Sequence, residues 1–178
     1  MRNTFLFYLC ILLSTTLFPQ KNTLFLKSGK IELSSDIKVM KDDNINYHFM
    51  VFSKIPTNQT KEKIKDLGID FLEYIPNRAY VVSVPKQTNI TNLSDFGIVS
   101  LAVIKPHYKI DPKLQNNNFP SWAFNNNMLS VKVLLYKNAD LSSVKERCRI
   151  SNYQIDAINI FSNSIILTVD PAELSILS

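Results

Sequence analysis

Tyr47–Pro85, YHFMVFSKIPTNQTKEKIKDLGIDFLEYIPNRAYVVSVP, reads as strand, helix, strand, strand. The opening run, Tyr47–Ser53, is apolar on both alternating sets: Tyr47, Phe49 and Val51 on one face, His48, Met50 and Phe52 on the other. A strand buried on one face only carries polar residues on the other, so this one is expected to be covered on both. Pro56-Thr57 breaks the run. Thr57 is a candidate N-cap, Ile64 and Leu67 (with Thr60) mark a helical stripe, and Gly68 suits the position after a helix end. Ile69–Ile75 and Ala79–Val84 follow as strands joined by Pro76-Asn77-Arg78.

Downstream, Ile90, Leu93 and Phe96 stand at helical spacing, Gly97 ends the segment, and Ile98–Ile104 is a fourth strand stopped by Pro106. The order βαββαβ is that of the ferredoxin-like sandwich, four antiparallel strands with two helices on one face. Its other face is expected to stand open. Upstream, Thr23–Leu33 has the pattern of a hairpin turning at Ser28-Gly29, and Ser34–Asn44 that of a polar loop.

The pattern then returns. Leu129–Tyr136 is a strand, and Asp140–Arg149 a helix with Leu141, Val144 and Cys148 on one face and Ser143-x-x-Glu146 as a capping box. Tyr153–Phe161 and Ser164–Val169 are strands around Ser162-Asn163, and Asp170-Pro171-Ala172-Glu173 is a helix start. Val131-Lys132-Val133 matches Phe49-Met50-Val51, and Ser164–Val169 falls on Ala79–Val84, an internal repeat offset by roughly 85 residues. The second copy holds no counterpart of Ile98–Ile104 and is expected to be incomplete. Between the copies, His107–Asn127 is an Asn- and Pro-rich linker whose Trp122 is expected to tuck into a neighbouring core. The fold class expected is α+β: tandem ferredoxin-like sandwiches over 45–106 and 128–178, after a lead-in over 21–44.

The N-terminus carries Arg2, an apolar core from Phe5 to Leu13, and then small and polar residues. That core is too short to span a bilayer and matches a secretory signal over 1–20, so the mature chain is expected to be secreted and free of membrane.

Composition narrows the chemistry. Of the 178 residues, 46% are apolar and 20% charged, a globular balance. Three glycines (Gly29, Gly68, Gly97) leave few places for phosphate loops or strained nucleophile turns, which need backbone at positive φ. The net charge of +5 is spread without a basic block, which gives no nucleic-acid footprint. Two cysteines (Cys10, Cys148) and two histidines (His48, His107), scattered, make neither a disulfide framework, a metal site nor a catalytic triad. No catalytic residue and no cofactor are expected, and the chain is not read as an enzyme by itself.

Leu72-Glu73-Tyr74-Ile75-Pro76-Asn77-Arg78-Ala79-Tyr80, preceded by strand, helix and Gly68-Ile69 and followed by a Val-rich strand into Pro85, resembles the prodomain of secreted bacterial subtilisin-like serine proteases. The closest likeness is to the fervidolysin-type prodomain, and Val131–Leu177 resembles a partial subtilisin propeptide-inhibitor module. The resemblance implies an intramolecular chaperone and temporary inhibitor that packs its open sheet face on a protease catalytic domain, in cis or in trans. It places that face on Tyr47, Phe49 and Val51 or on the alternate set His48, Met50 and Phe52, with Tyr80 and Val82 as further partner-binding candidates. The protease domain itself, with its Asp, His and Ser motifs, is absent from this sequence. The other reading is a free-standing secreted inhibitor or adhesion module of the same fold.

Overall fold

The computed structural model describes residues 22–35, 37 and 45–176. The stretch over 1–20 read as a secretory signal and most of the polar stretch over 34–44 lie outside the described residues. The chain is α+β, with antiparallel sheets and few helices. Strands β1 (Asn22–Leu26) and β2 (Gly29–Leu33) form a hairpin closed by the Leu26–Gly29 pair, so its two turn residues are Lys27 and Ser28 rather than Ser28 and Gly29.

Next come β3 (Ile45–Phe52), α1 (Asn58–Asp66), β4 (Asp70–Ile75), β5 (Ala79–Pro85) and β6 (Ile98–Val103). They make one sheet of order β4-β5-β3-β6. Thr57 caps α1 as its spacing predicted, accepting from the Thr60 backbone N–H at 3.2 Å. Gly68, at φ +84°, turns the chain out of the helix and donates its N–H to the Lys65 carbonyl at 2.7 Å. Ile64 is buried while Leu67, at the helix end, stays exposed. The second helix expected here shrinks to one 3-10 turn, Leu93–Phe96. The reason is local: the Asn89 side chain accepts from both the N–H (3.0 Å) and the hydroxyl (2.6 Å) of Thr91, a turn that competes with helical hydrogen bonding.

The linker is structured. It holds the short helices α2 (Pro106–Lys109) and α3 (Pro112–Gln115), a 3-10 turn at Ser121–Ala123 and the two-residue strand β7 (Phe124–Asn125). Strand β8 (Met128–Leu134), helix α4 (Leu141–Ile150), β9 (Gln154–Asn159) and β10 (Ser164–Val169) follow, in a sheet of order β7-β8-β10-β9. The cap of α4 is Asp140, not the Ser143/Glu146 box. Asp140 accepts from the Ser143 N–H at 2.9 Å and hydroxyl at 2.6 Å, while Glu146 is taken by a two-pronged contact with Arg149 at 2.7 and 2.8 Å. Asp170 caps the closing 3-10 helix Pro171–Ile176 through the Ala172 N–H.

The β-α-β-β segments of the two sheets correspond closely. Met50 faces Tyr80 as Val133 faces Ile165. The Phe52 N–H donates to the Arg78 carbonyl as the Leu135 N–H does to that of Asn163, and both accepting residues are left-handed. A bulge skips Leu72 in β4 and Asp156 at the matching place in β9. This register pairs Val131 with His48 and Val133 with Met50. Matching Val131 to Phe49 by sequence is one residue off, a slip that exchanges the two faces of the strand.

Candidate protein-binding surfaces

Alternation in β3 feeds two separate cores. Met50, Phe52, Tyr80 and Val82 pack with Ile64, Leu93 and Leu101 on the α1 side of the sheet. Phe49, Val51, Ala79 and Val81 pack on the opposite side with Leu72, Ile75, Leu24, Ile31 and Ile104. The candidates Tyr47, Phe49, Val51, Tyr80 and Val82 therefore do not form one surface. Tyr80 and Val82 lie under α1, and the alternate set of His48, Met50 and Phe52 is buried as well.

The face expected to stand open is covered by the chain itself. The β1–β2 hairpin lies across it, inserting Leu24 and Ile31, and is tied down by the Asn77 amide donating to the Thr23 carbonyl (3.0 Å) and the Ser28 hydroxyl donating to the Tyr108 carbonyl (3.2 Å). Tyr108 and Tyr136 close its margins. The sequence contained a signal for this, because the inner positions of the hairpin, Leu24 and Ile31, are apolar and directly paired. What it did not carry was the target of that apolar stripe.

Tyr136 also joins the two halves. Its ring stacks on Tyr47 with centroids 4.0 Å apart. Beside it the Asn138 amide donates to the Ser83 hydroxyl at 2.9 Å, while its carbonyl oxygen accepts from the Tyr47 hydroxyl at 3.4 Å. Burial, then the neighbouring Tyr47 and Glu73, push the Tyr136 phenol up to about 12. Burial raises Tyr47 as well. A buried phenol that resists ionisation stabilises the fold below the ordinary tyrosine value of 10.0 and loses that contribution as pH rises toward about 12. The chain is thus expected to lose stability between about pH 10 and about pH 12, and Tyr136→Phe to flatten that loss in urea unfolding followed across the window. An unchanged slope would assign the effect elsewhere.

The second sheet presents a different outer face. Where the first has Phe49, Val51, Leu72, Ala79 and Val81, the second has Lys132, Leu134, Asp156, Ser164 and Ile166. Asp156 accepts from the Thr168 hydroxyl at 2.7 Å and the Gln154 amide at 2.9 Å, so that part is a polar network. Leu134 remains 69% exposed, and beyond it the β9–β10 turn holds up Phe161 at 98%. The helix-facing side is closed by Leu129, Val131, Ile165, Leu167 and Val169 against Cys148, with Phe119 and Leu114 from the linker. Trp122 does not tuck into that core: it is 84% exposed, and Ala123 and Phe119 fill the place instead. It borders an open hollow of about 260 Å³ with Lys113, Asn118 and Pro120.

His48 is buried inside the first sheet, whereas His107 sits exposed on α2 against Tyr108. Cys148 is buried and its thiol is pushed up by that burial. Among the described residues no group of three or more His, Cys, Asp or Glu side chains is placed to hold a metal ion. None of the described helices is long and apolar enough to cross a membrane.

These features define an α+β protein whose described residues form two four-stranded antiparallel sheets and a two-stranded hairpin. Residues 12–105, more than half of the chain, match the model of a family described as a domain of unknown function, DUF8729. The chain belongs to that family. Neither the curated proteins nor the solved structures contain a match.

Proposed function

We propose that this chain is an exported, non-catalytic partner-binding protein of the prodomain type, acting on a subtilisin-like protease as folding helper and temporary inhibitor. Its two halves are read as tandem ferredoxin-like units. The strand order β4-β5-β3-β6 and the matching registers and bulges of β8, β9 and β10 support that reading. Export is supported by the apolar Phe5–Leu13 core behind Arg2. The observation that carries the proposal is the unequal covering of the two sheets. The first outer face is occupied by the chain's own hairpin, so partner docking falls to the second, around Lys132, Leu134 and Ile166.

The free-standing inhibitor or adhesion reading draws on the same hairpin, which leaves the first unit self-sufficient. The experiment is to titrate the purified chain into bacterial subtilisin-like catalytic domains and follow peptide hydrolysis, and separately their refolding yield. Inhibition is expected, and Leu134→Asp combined with Ile166→Asp is expected to weaken it at least about tenfold with the thermal midpoint unmoved. If the wild-type chain neither slows hydrolysis nor raises refolding yield, the protease reading is wrong. If it inhibits and the double variant does so equally well, the docking face is wrong.

A further inference from the structure

In the first sheet the outer edge of β3 is filled by β6, which pairs antiparallel with His48–Phe52. That arrangement is itself closed off, since Ile37 bridges to Leu101 and the Ser100 hydroxyl donates to the Ser34 carbonyl at 2.7 Å. In the second sheet the matching edge belongs to β8, and the matching stretch is Val131–Leu135. Strand β7 lies on this side of β8 but pairs only with Met128 and Leu129, stopping just short of that stretch. Among the described residues no strand lies along the remainder of the edge. An edge of this kind presents a row of backbone donors and acceptors to any extended chain that fits.

We infer that the Val131–Leu135 edge of β8 is a strand-addition site, which takes an extended peptide segment antiparallel, in the position β6 holds on the twin sheet. The twin also specifies the chemistry of the guest. On β3, Met50 faces Leu101, Phe49 faces Ala102 and His48 faces Val103. The corresponding hosts on β8 are Val133, Lys132 and Val131. The guest therefore carries apolar residues opposite Val133 and Val131, which lie on the core side, and an acidic residue opposite the exposed Lys132. Main-chain hydrogen bonds supply most of the affinity in such additions, and the alternate side chains set the choice of partner. This inference stands apart from the protease reading, because it concerns the sheet edge rather than its face and requires no protease.

The test uses the full chain and synthetic peptides. One carries the Ile98–Val103 sequence with glutamate in place of Ala102, one has lysine there, and one has the glutamate sequence with alternate backbone nitrogens methylated. With the glutamate peptide, hydrogen exchange should slow at least about tenfold at the amides of Lys132 and Leu134, which alternate with the Leu135 amide bonded to Asn163 and so face the open edge. Binding of the methylated peptide should be at least about tenfold weaker, since its main-chain donors are blocked. Lys132→Glu, an exposed substitution, should reverse the preference between glutamate and lysine peptides. The proposal is overturned if saturating peptide leaves the Lys132 and Leu134 amides unprotected, if protection appears along β3 instead, or if the methylated peptide binds equally well. It is also overturned if those amides become protected without peptide as protein concentration rises, which would make a second copy the occupant.

Discussion

Phe52→Ala is expected to lower the stability of the first unit by about 3–5 kcal/mol, enough to consume much of the margin of an ordinary domain. Phe52 is buried at the end of β3, where its ring meets Tyr80 edge-on at 5.9 Å and Phe71 at 6.3 Å. Phe71 and Tyr80 are themselves edge-to-face at 5.1 Å, with the Lys61 ammonium 4.6 Å from the Tyr80 ring centre. Removing the Phe52 ring leaves a cavity beneath two aromatics whose mutual geometry depends on it. The Phe52 backbone is also held to Arg78, so the chain cannot readily collapse into the void. Urea unfolding read by hydrogen exchange in β5 measures the change. A loss below about 1 kcal/mol would mean that the ring cluster relaxes around the gap.

Leu24→Ala comes second, at about 2–5 kcal/mol, and it tests how the first sheet is covered. Leu24 is fully buried although it lies on a two-stranded ribbon, a structure marginal by itself in water. It is buried in one cluster with its hairpin partner Ile31 and with Phe49, Val51 and Val81 of the sheet below. Weakening that contact should cost stability and also make the apolar face available. The expected result is a lowered unfolding midpoint together with new binding of a hydrophobic dye and concentration-dependent self-association. If stability falls without dye binding, the hairpin has stayed in place and the cost is that of a local cavity. An unchanged midpoint would show that the hairpin does not hold the face.

Much of this fold was legible in the sequence because it depends on neighbours. Thr57 ahead of a helical stripe, Gly68 behind it, Asp170-Pro171 at a helix start and Asn163 in a tight turn all act within a few residues. Each stands where its chemistry placed it. The misreadings were local competitions that went the other way. Asn89 captured Thr91 and shortened a helix, Asp140 took the capping role given to Ser143 and Glu146, and Trp122 yielded its place in the core to Ala123 and Phe119. The repeat was visible, but only cross-strand register could correct the one-residue slip in β8. The candidate partner surface was the least legible part. A strand apolar on both faces shows that something covers each face, and it does not show what.

The sequence alone therefore determined that Tyr47–Phe52 is covered on both sides, that two runs of strand, helix, strand, strand follow one another, and where most strands and caps begin. The reason is that backbone conformation and apolar periodicity are settled over short distances. Only the tertiary structure decided that Leu24, Ile31, Tyr108 and Tyr136 seal the first sheet, and that the second keeps an exposed face and, among the described residues, an edge with no strand along Val131–Leu134. Those outcomes depend on which distant apolar surfaces meet. Hydrophobic attraction is non-directional, and it names no partner until the chain has folded.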